Sequence, residues 1–314
     1  MVPVTQWAEI EAAPQAPRSA SAPTVRTTRA AVRLRRTEHL VLGSIDGGAH
    51  VLQRRGRHLL LGAAVFMVPL AALQLLLTVL AWRQFDRFEG LLGEHGYLGV
   101  ERGSAVIAFL SLGYCSHVIG AFVTAYLVPY QLGGDPKLWS TVGKVLRRLP
   151  RLTWTWAVTH AWLALGVLIY LNTDSGTFTL LAVLFSPLTM FFTALSLFAA
   201  PVVAVEGGGE SLRRSLRLVR GRQGAAYGFV WLNSLVAWIL FVCITGLPEA
   251  ASSTGLVTFG SYGWLFEGLA AQIAMLVIVP FSAATAAQMY LQVRVASEGL
   301  DITLAADAAF GARR

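Results

Sequence analysis

Residues 133–154 read GGDPKLWSTVGKVLRRLPRLTW, and residues 207–228 read GGGESLRRSLRLVRGRQGAAYG. Each opens on glycine and an acid, becomes a basic amphipathic stretch, and runs into a long apolar segment. In the first, Leu138, Trp139, Val142, Val145, Leu146 and Leu149 fall on one helical face, with Lys144, Arg147, Arg148 and Arg151 on the other. Asp135 before Pro136 suits a helix start, an N-cap followed by proline at the first helical position. In the second, Leu212, Leu216 and Val219 form the apolar stripe between Arg213, Arg214, Arg217 and Arg220. A helix of this kind lies in a membrane interface, its apolar side among acyl chains and its arginines near anionic headgroups. Acids early and bases late also suit the helix dipole.

Working outward, the flanking segments are long enough to cross a bilayer, which takes about 20 apolar residues. Six such runs lie near 59–82, 104–130, 152–172, 177–205, 225–247 and 265–293. Composition agrees: the chain of 314 residues is 55% hydrophobic and only 13% charged, with mean hydropathy +0.59. A water-soluble domain carries about a quarter charged residues. The spans must be helical, because lipid offers the backbone no hydrogen-bond partners.

Lysine and arginine set the orientation. Of the 25 in the chain, 22 fall in residues 1–57, 131–151, 206–224 and 294–314, and only Arg83, Arg87 and Arg102 fall on the other side. Both termini are therefore expected in the cytoplasm, with outer loops at 83–103, 173–176 and 248–264. The net charge of +8 is distributed as membrane-proximal clusters, not as a nucleic-acid-binding face, so anionic lipid headgroups are the expected partner and nucleic acid is not.

A third stretch, SIDGGAHVLQRRGRHLLL at 44–61, has a weaker version of the same layout, with Ile45, Ala49 and Leu52 against Arg54, Arg55 and Arg57. The expected architecture is an all-α bundle of six spans, built from three units of interfacial helix plus two-span hairpin. Residues 1–43 form a basic tail poor in large apolar side chains and expected to be disordered. The membrane domain covers 44–305, and 306–314 is a short C-terminal tail.

At PVVAVEGGGESLRRSLRLVRGR (201–222) and YLQVRVASEGLD (290–301) the chain resembles actinobacterial multi-span membrane proteins described as glycerophosphodiester phosphodiesterase membrane-domain-like, most of them of unknown function. Pro201, Glu206, Arg214, Ser215, Leu218, Val219, Arg220 and Arg222 match the first motif, and Tyr290, Arg294, Val295, Glu298, Gly299, Leu300 and Asp301 the second. Leu291, Gln292 and Ala296 depart from it. The resemblance spans about 44–305 by layout. It implies a membrane domain and says nothing of an activity, and no remaining soluble stretch has the size of a phosphodiesterase barrel.

No catalytic set is legible: there is no Gly-x-Ser-x-Gly, phosphate loop, His-Glu-x-x-His or paired-carboxylate pattern. No cofactor or metal is expected. Two groups of polar residues remain as candidates. Glu206, Arg214, Arg220, Arg294, Glu298 and Asp301 converge on the inner face, as a clasp holding the C-terminus or as a site there. His117, His160 and Asn233 lie within apolar runs, where polar side chains either pack between helices or mark a function. Pro69, Pro187, Pro201 and Pro280 are the expected kink points, and Trp154, Trp156 and Trp162 the expected interfacial aromatic belt. Cys115 and Cys243 are expected to be buried as small hydrophobes. The function expected from these features is that of a non-enzymatic scaffold or partner subunit of an envelope-associated membrane complex. The alternative is a small transporter or lipid-handling protein with a cavity between kinked spans.

Overall fold

A computed structural model describes residues 39–173, 175–207, 210–258 and 263–300; for residues 75, 77–105, 108, 175 and 264 it describes the backbone alone. Residues 1–38 of the expected N-terminal tail, the C-terminal tail and Asp301 lie outside the described residues, whereas residues 40–43, expected as the end of the disordered tail, are helical and open the first helix. Among those described the protein is entirely helical. In chain order the helices are α1 (Leu40–Gln131), α2 (Leu138–Arg147), α3 (Leu149–Thr159), α4 (Leu163–Asn172), α5 (Ser175–Ser196), α6 (Ala199–Val205), α7 (Ser211–Val219), α8 (Gln223–Ser253) and α9 (Gly263–Glu298).

Five segments are long and apolar enough to cross a membrane: Leu40–Gln74, Phe109–Gln131, Gly176–Val205, Gln223–Ser253 and Leu265–Glu298. The expected span at 152–172 is not one straight helix. It is the pair α3 and α4, bent by 63° at a short break, and it makes a sixth crossing only if the pair counts as one. The surface supports a bilayer as the surrounding solvent. On α8, Trp231, Leu235, Trp238, Ile239 and Val242 are all exposed along one stripe. Water would penalise such a contiguous apolar patch, whereas hydrocarbon does not.

Helical backbone runs through the whole of α1, including the residues expected to form the outer loop 83–103. A straight helix would place Gly62 and Phe122 about 90 Å apart. Instead, a Cβ added at Gly62 would stand 2.0 Å from the Phe122 ring, and Gln74 Nε2 donates to Ser111 Oγ at 3.3 Å. The segment therefore doubles back, and its two limbs pack side by side. The basic stretch 44–57 is likewise not a separate interfacial helix. It continues directly into the first span and lies against α9, with Ser44, Gly48 and Val51 on the covered side. Only two of the three stretches stand as short helices of their own, α2 and α7.

Their buried faces also differ from the expected ones. On α2, Thr141, Val142 and Val145 are buried, while Trp139 is 70% exposed. On α7 the covered residues are Ser211, Ser215, Leu218 and Val219, spaced i, i+4, i+7 and i+8, and Leu216 is 41% exposed. Small serines win this face because they allow close approach and still satisfy their hydroxyls. Ser215 Oγ donates to the Leu195 carbonyl at 3.3 Å, and Ser211 Oγ meets Thr155 Oγ1 at 3.1 Å. Leu216 is left on the outward side.

Two apolar clusters hold the helices. One joins the limbs of α1 to α2, α3, α6 and α9 through Leu59, Phe122, Tyr126, Val145, Leu152, Val203 and Ala284. The other joins α5, α6, α7, α8 and α9 through Phe198, Leu218, Phe229, Tyr290 and Leu291. Cys115 belongs to the first cluster, whereas Cys243 is exposed, contrary to the expectation for that residue.

Candidate functional site

Helices α6 and α9 end in the same way. Glu206 caps α6 and is followed by Gly207 with φ +66°; Glu298 ends α9 and is followed by Gly299 with φ +60°. A left-handed glycine stops each helix at low steric cost. The consequence is electrostatic. Each carboxylate stands at the negative end of a helix dipole, where an anion is disfavoured, so each needs a cation.

Two arginines supply them. Arg214 Nε on α7 donates to Glu206 Oε2 at 3.0 Å and to Oε1 at 3.3 Å, while its Nη2 contacts Glu298 Oε1. Arg294 Nε on α9 donates to Glu298 Oε2 at 2.9 Å, and its Nη1 stands 4.0 Å from Glu206 Oε1. The four side chains thus close a ring of alternating sign, each only 19–26% exposed. Covering the Arg214 guanidinium works against its charge, but the hydrogen bonds and charges of Glu206 and Glu298 outweigh this and hold it above its ordinary pKa. The ring is neutral overall, with each charge satisfied by a neighbour.

Tyr290 completes the arrangement. Its ring is fully buried, its hydroxyl donates to Glu206 Oε1 at 2.8 Å, and it accepts from Arg294 Nη1 at 3.4 Å. The spacing of Tyr290, Arg294 and Glu298, i, i+4 and i+8, puts all three on one face of α9. That spacing is present in the sequence, where Tyr290 counts only toward the resemblance motif and not among the candidate site residues. Of the other residues expected here, Arg220 is exposed at the end of α7 and takes no part in the ring, and Asp301 lies outside the described residues.

A second contact backs the ring from α2 and α3. Arg148 Nη1 donates to the Val203 carbonyl at 2.7 Å and also to the Ala204 carbonyl, and Arg151 Nη1 donates to the Gly207 carbonyl. The sequence placed both arginines among headgroups. They instead cap the free carbonyls at the end of α6, a favourable place for a cation. Charged hydrogen bonds of this sort are worth about 1.5–3 kcal/mol. Arg148→Ala is accordingly expected to cost about 1–3 kcal/mol, measured by unfolding in a fixed detergent. Arg147, whose Nε bonds only the Gly143 carbonyl of its own helix, serves as the control, with a change within about 0.5 kcal/mol on mutation to alanine.

The intramembrane candidates separate into two places. Asn233 on α8 accepts from Thr285 Oγ1 on α9 at 3.0 Å, an interhelical packing contact. His117 on α1 and His160 meet edge to face with ring centroids 6.1 Å apart, at the break between α3 and α4. Trp156 turns inward and stacks on His160 at 5.4 Å, while Trp154 is 72% exposed. Only part of the expected aromatic belt therefore faces outward.

Comparison with protein-family models, curated proteins and solved structures finds no match to this chain.

Proposed function

We propose that this protein is a non-enzymatic subunit of a membrane complex in the bacterial envelope. In this reading six crossings, arranged as three related units, carry both termini on the cytoplasmic side. The observation that supports it is the division of cationic charge at the proposed cytoplasmic end. Arg214 and Arg294 are neutralised inside the ring, which fixes the end of α9 against α6 and α7. Arg217, Arg220 and Arg222 have no acidic partner among the described residues. A rigid, internally neutral base thus presents uncompensated arginines, as suits anionic headgroups or an acidic partner protein.

The test is purification of the tagged full chain from native membranes. The expected result is a membrane protein recovered in fixed proportion, and lost with Arg217→Glu combined with Arg220→Glu while the chain itself remains abundant. Solute uptake by liposomes containing the purified chain alone would contradict the proposal.

A second reading, a transporter or lipid-handling protein, is favoured by the 63° break between α3 and α4. Discontinuous helices are a recurrent means of placing polar groups at mid-membrane. The same liposome experiment separates the two.

A further inference from the structure

The break between α3 and α4 has no proline. At it, the side chains of Thr159 and His160 bond the helix's own carbonyls. Thr159 Oγ1 donates to the Thr155 carbonyl at 2.9 Å, and His160 Nδ1 lies 3.1 Å from the Trp156 carbonyl. Side chains that bond the preceding turn in this way loosen the helical ladder. Beyond the break, Leu163 N–H bonds the His160 carbonyl at 2.8 Å in a tighter turn. The N–H groups of Ala161 and Trp162 then take no backbone partner. In hydrocarbon such groups are costly unless something else satisfies them.

Two side chains beside the break are in the same condition. Among the described residues three buried side-chain N or O atoms lack a hydrogen-bond partner, and two of them, His117 Nε2 and Trp156 Nε1, are here. Trp156 Nε1 stands 3.9 Å from where a Cβ on Gly113 would lie, and His117 is one helical turn beyond Gly113. Tyr114 packs edge-on to Trp156 at 5.6 Å, with its hydroxyl 2.7 Å from Thr153 Oγ1. His160 Nδ1 is engaged by Thr159 Oγ1 at 2.8 Å and by the Trp156 carbonyl at 3.1 Å. The place is therefore polar, lined by rings, and without a fixed charge.

We propose that this break is an intramembrane binding site for one uncharged, oxygen-bearing molecule, whose oxygen accepts the Trp156 indole N–H and bonds His117 Nε2. An oxygen is able to accept an indole N–H and to bond an imidazole nitrogen, and an uncharged molecule avoids the penalty of bringing an ion to this depth. Water and a bilayer-soluble alcohol or carbonyl compound share this chemistry. The site stands whether or not the protein moves a solute, and it does not depend on the partner-subunit reading.

The experiment uses the full chain labelled with ¹⁵N-tryptophan in nanodiscs of phosphatidylethanolamine and phosphatidylglycerol. Trp156→Phe assigns the indole signal, and Trp154→Phe, at an exposed neighbour, shows that a lost tryptophan does not itself disturb the spectrum. The Trp156 indole proton is expected at a hydrogen-bonded shift. It should move toward the unbonded position in His117→Phe and stay in His117→Gln, which keeps a hydrogen-bonding end. A cross-peak to water names water as the source. A cross-peak to ligand protons that disappears after extraction and reconstitution in synthetic lipid names a bilayer-soluble compound. An indole proton at the unbonded shift in the unmutated protein, or a bonded one indifferent to both His117 variants, would overturn the proposal.

Discussion

Arg214→Ala is expected to destabilise the protein by about 2–4 kcal/mol, close to the cost of breaking a buried ion pair and reduced somewhat by the partial exposure of the ring. Arg214 is the one side chain that hydrogen-bonds Glu206 through Nε and also contacts Glu298. Its removal leaves two carboxylates, each at a helix C-terminus, with Arg294 alone to balance them. Tyr290 cannot compensate, because its hydroxyl is already donated to Glu206. Unfolding of the variant in mixed detergent should show the loss directly, and membrane abundance should fall with it. Arg214→Lys restores the charge but not the fork that reaches both acids, so partial recovery is expected. Full recovery with lysine would mean that a point charge suffices and that the bonded geometry contributes little.

The second large effect is expected at Gly48. A Cβ there would stand 2.5 Å from Thr285 Cγ2 and 2.7 Å from both the Cα and N of Thr285 on α9. A side-chain tip can swing aside, but a helix backbone cannot. Gly48→Ala must separate the two helices or bend one of them, and about 2–3 kcal/mol is expected, the upper part of the usual overpacking range. The neighbouring glycine supplies the control. A Cβ at Gly56 meets nothing nearer than 3.9 Å, so Gly56→Ala should be neutral or stabilise by up to about 1 kcal/mol through the lower backbone entropy of alanine. Equal effects at the two positions would show that α1 and α9 do not approach as closely as described.

These two sites mark where the sequence was legible and where it was not. Long apolar runs announce spanning helices because the bilayer demands a minimum length and a satisfied backbone. Glu206, Arg214, Arg294 and Glu298 could be singled out because charges beside apolar runs are few. A clasp between them was legible as well, but not which arginine meets which acid, since that depends on which face of α7 turns inward. The leucines of α7 suggested one face, and the serines decided another. Gly48 looked like part of an amphipathic surface helix; only the approach of Thr285 gives it a role. The break at Thr159–His160 was missed for a related reason. Kinks were sought at proline, and the short break between α5 and α6 does stand just ahead of Pro201, yet Pro69, Pro187 and Pro280 lie within continuous helices. The actual break comes where the Thr159 and His160 side chains bond the carbonyls of the preceding turn, a local feature with no periodic signature. Arg148 and Arg151 were assigned to headgroups because helical position alone does not reveal a nearby row of free carbonyls.

The account rests on the charge ring acting as a structural clasp between α6, α7 and α9, and a double-mutant cycle across Arg214 and Glu298 tests this most directly. Arg214→Ala, Glu298→Ala and the double variant are compared by unfolding in one detergent mixture. The clasp predicts a coupling of about 1–3 kcal/mol between the two positions, with the double variant less damaged than the sum of the singles. Additive effects, within about 0.5 kcal/mol, would show that the two side chains act independently and that no clasp exists.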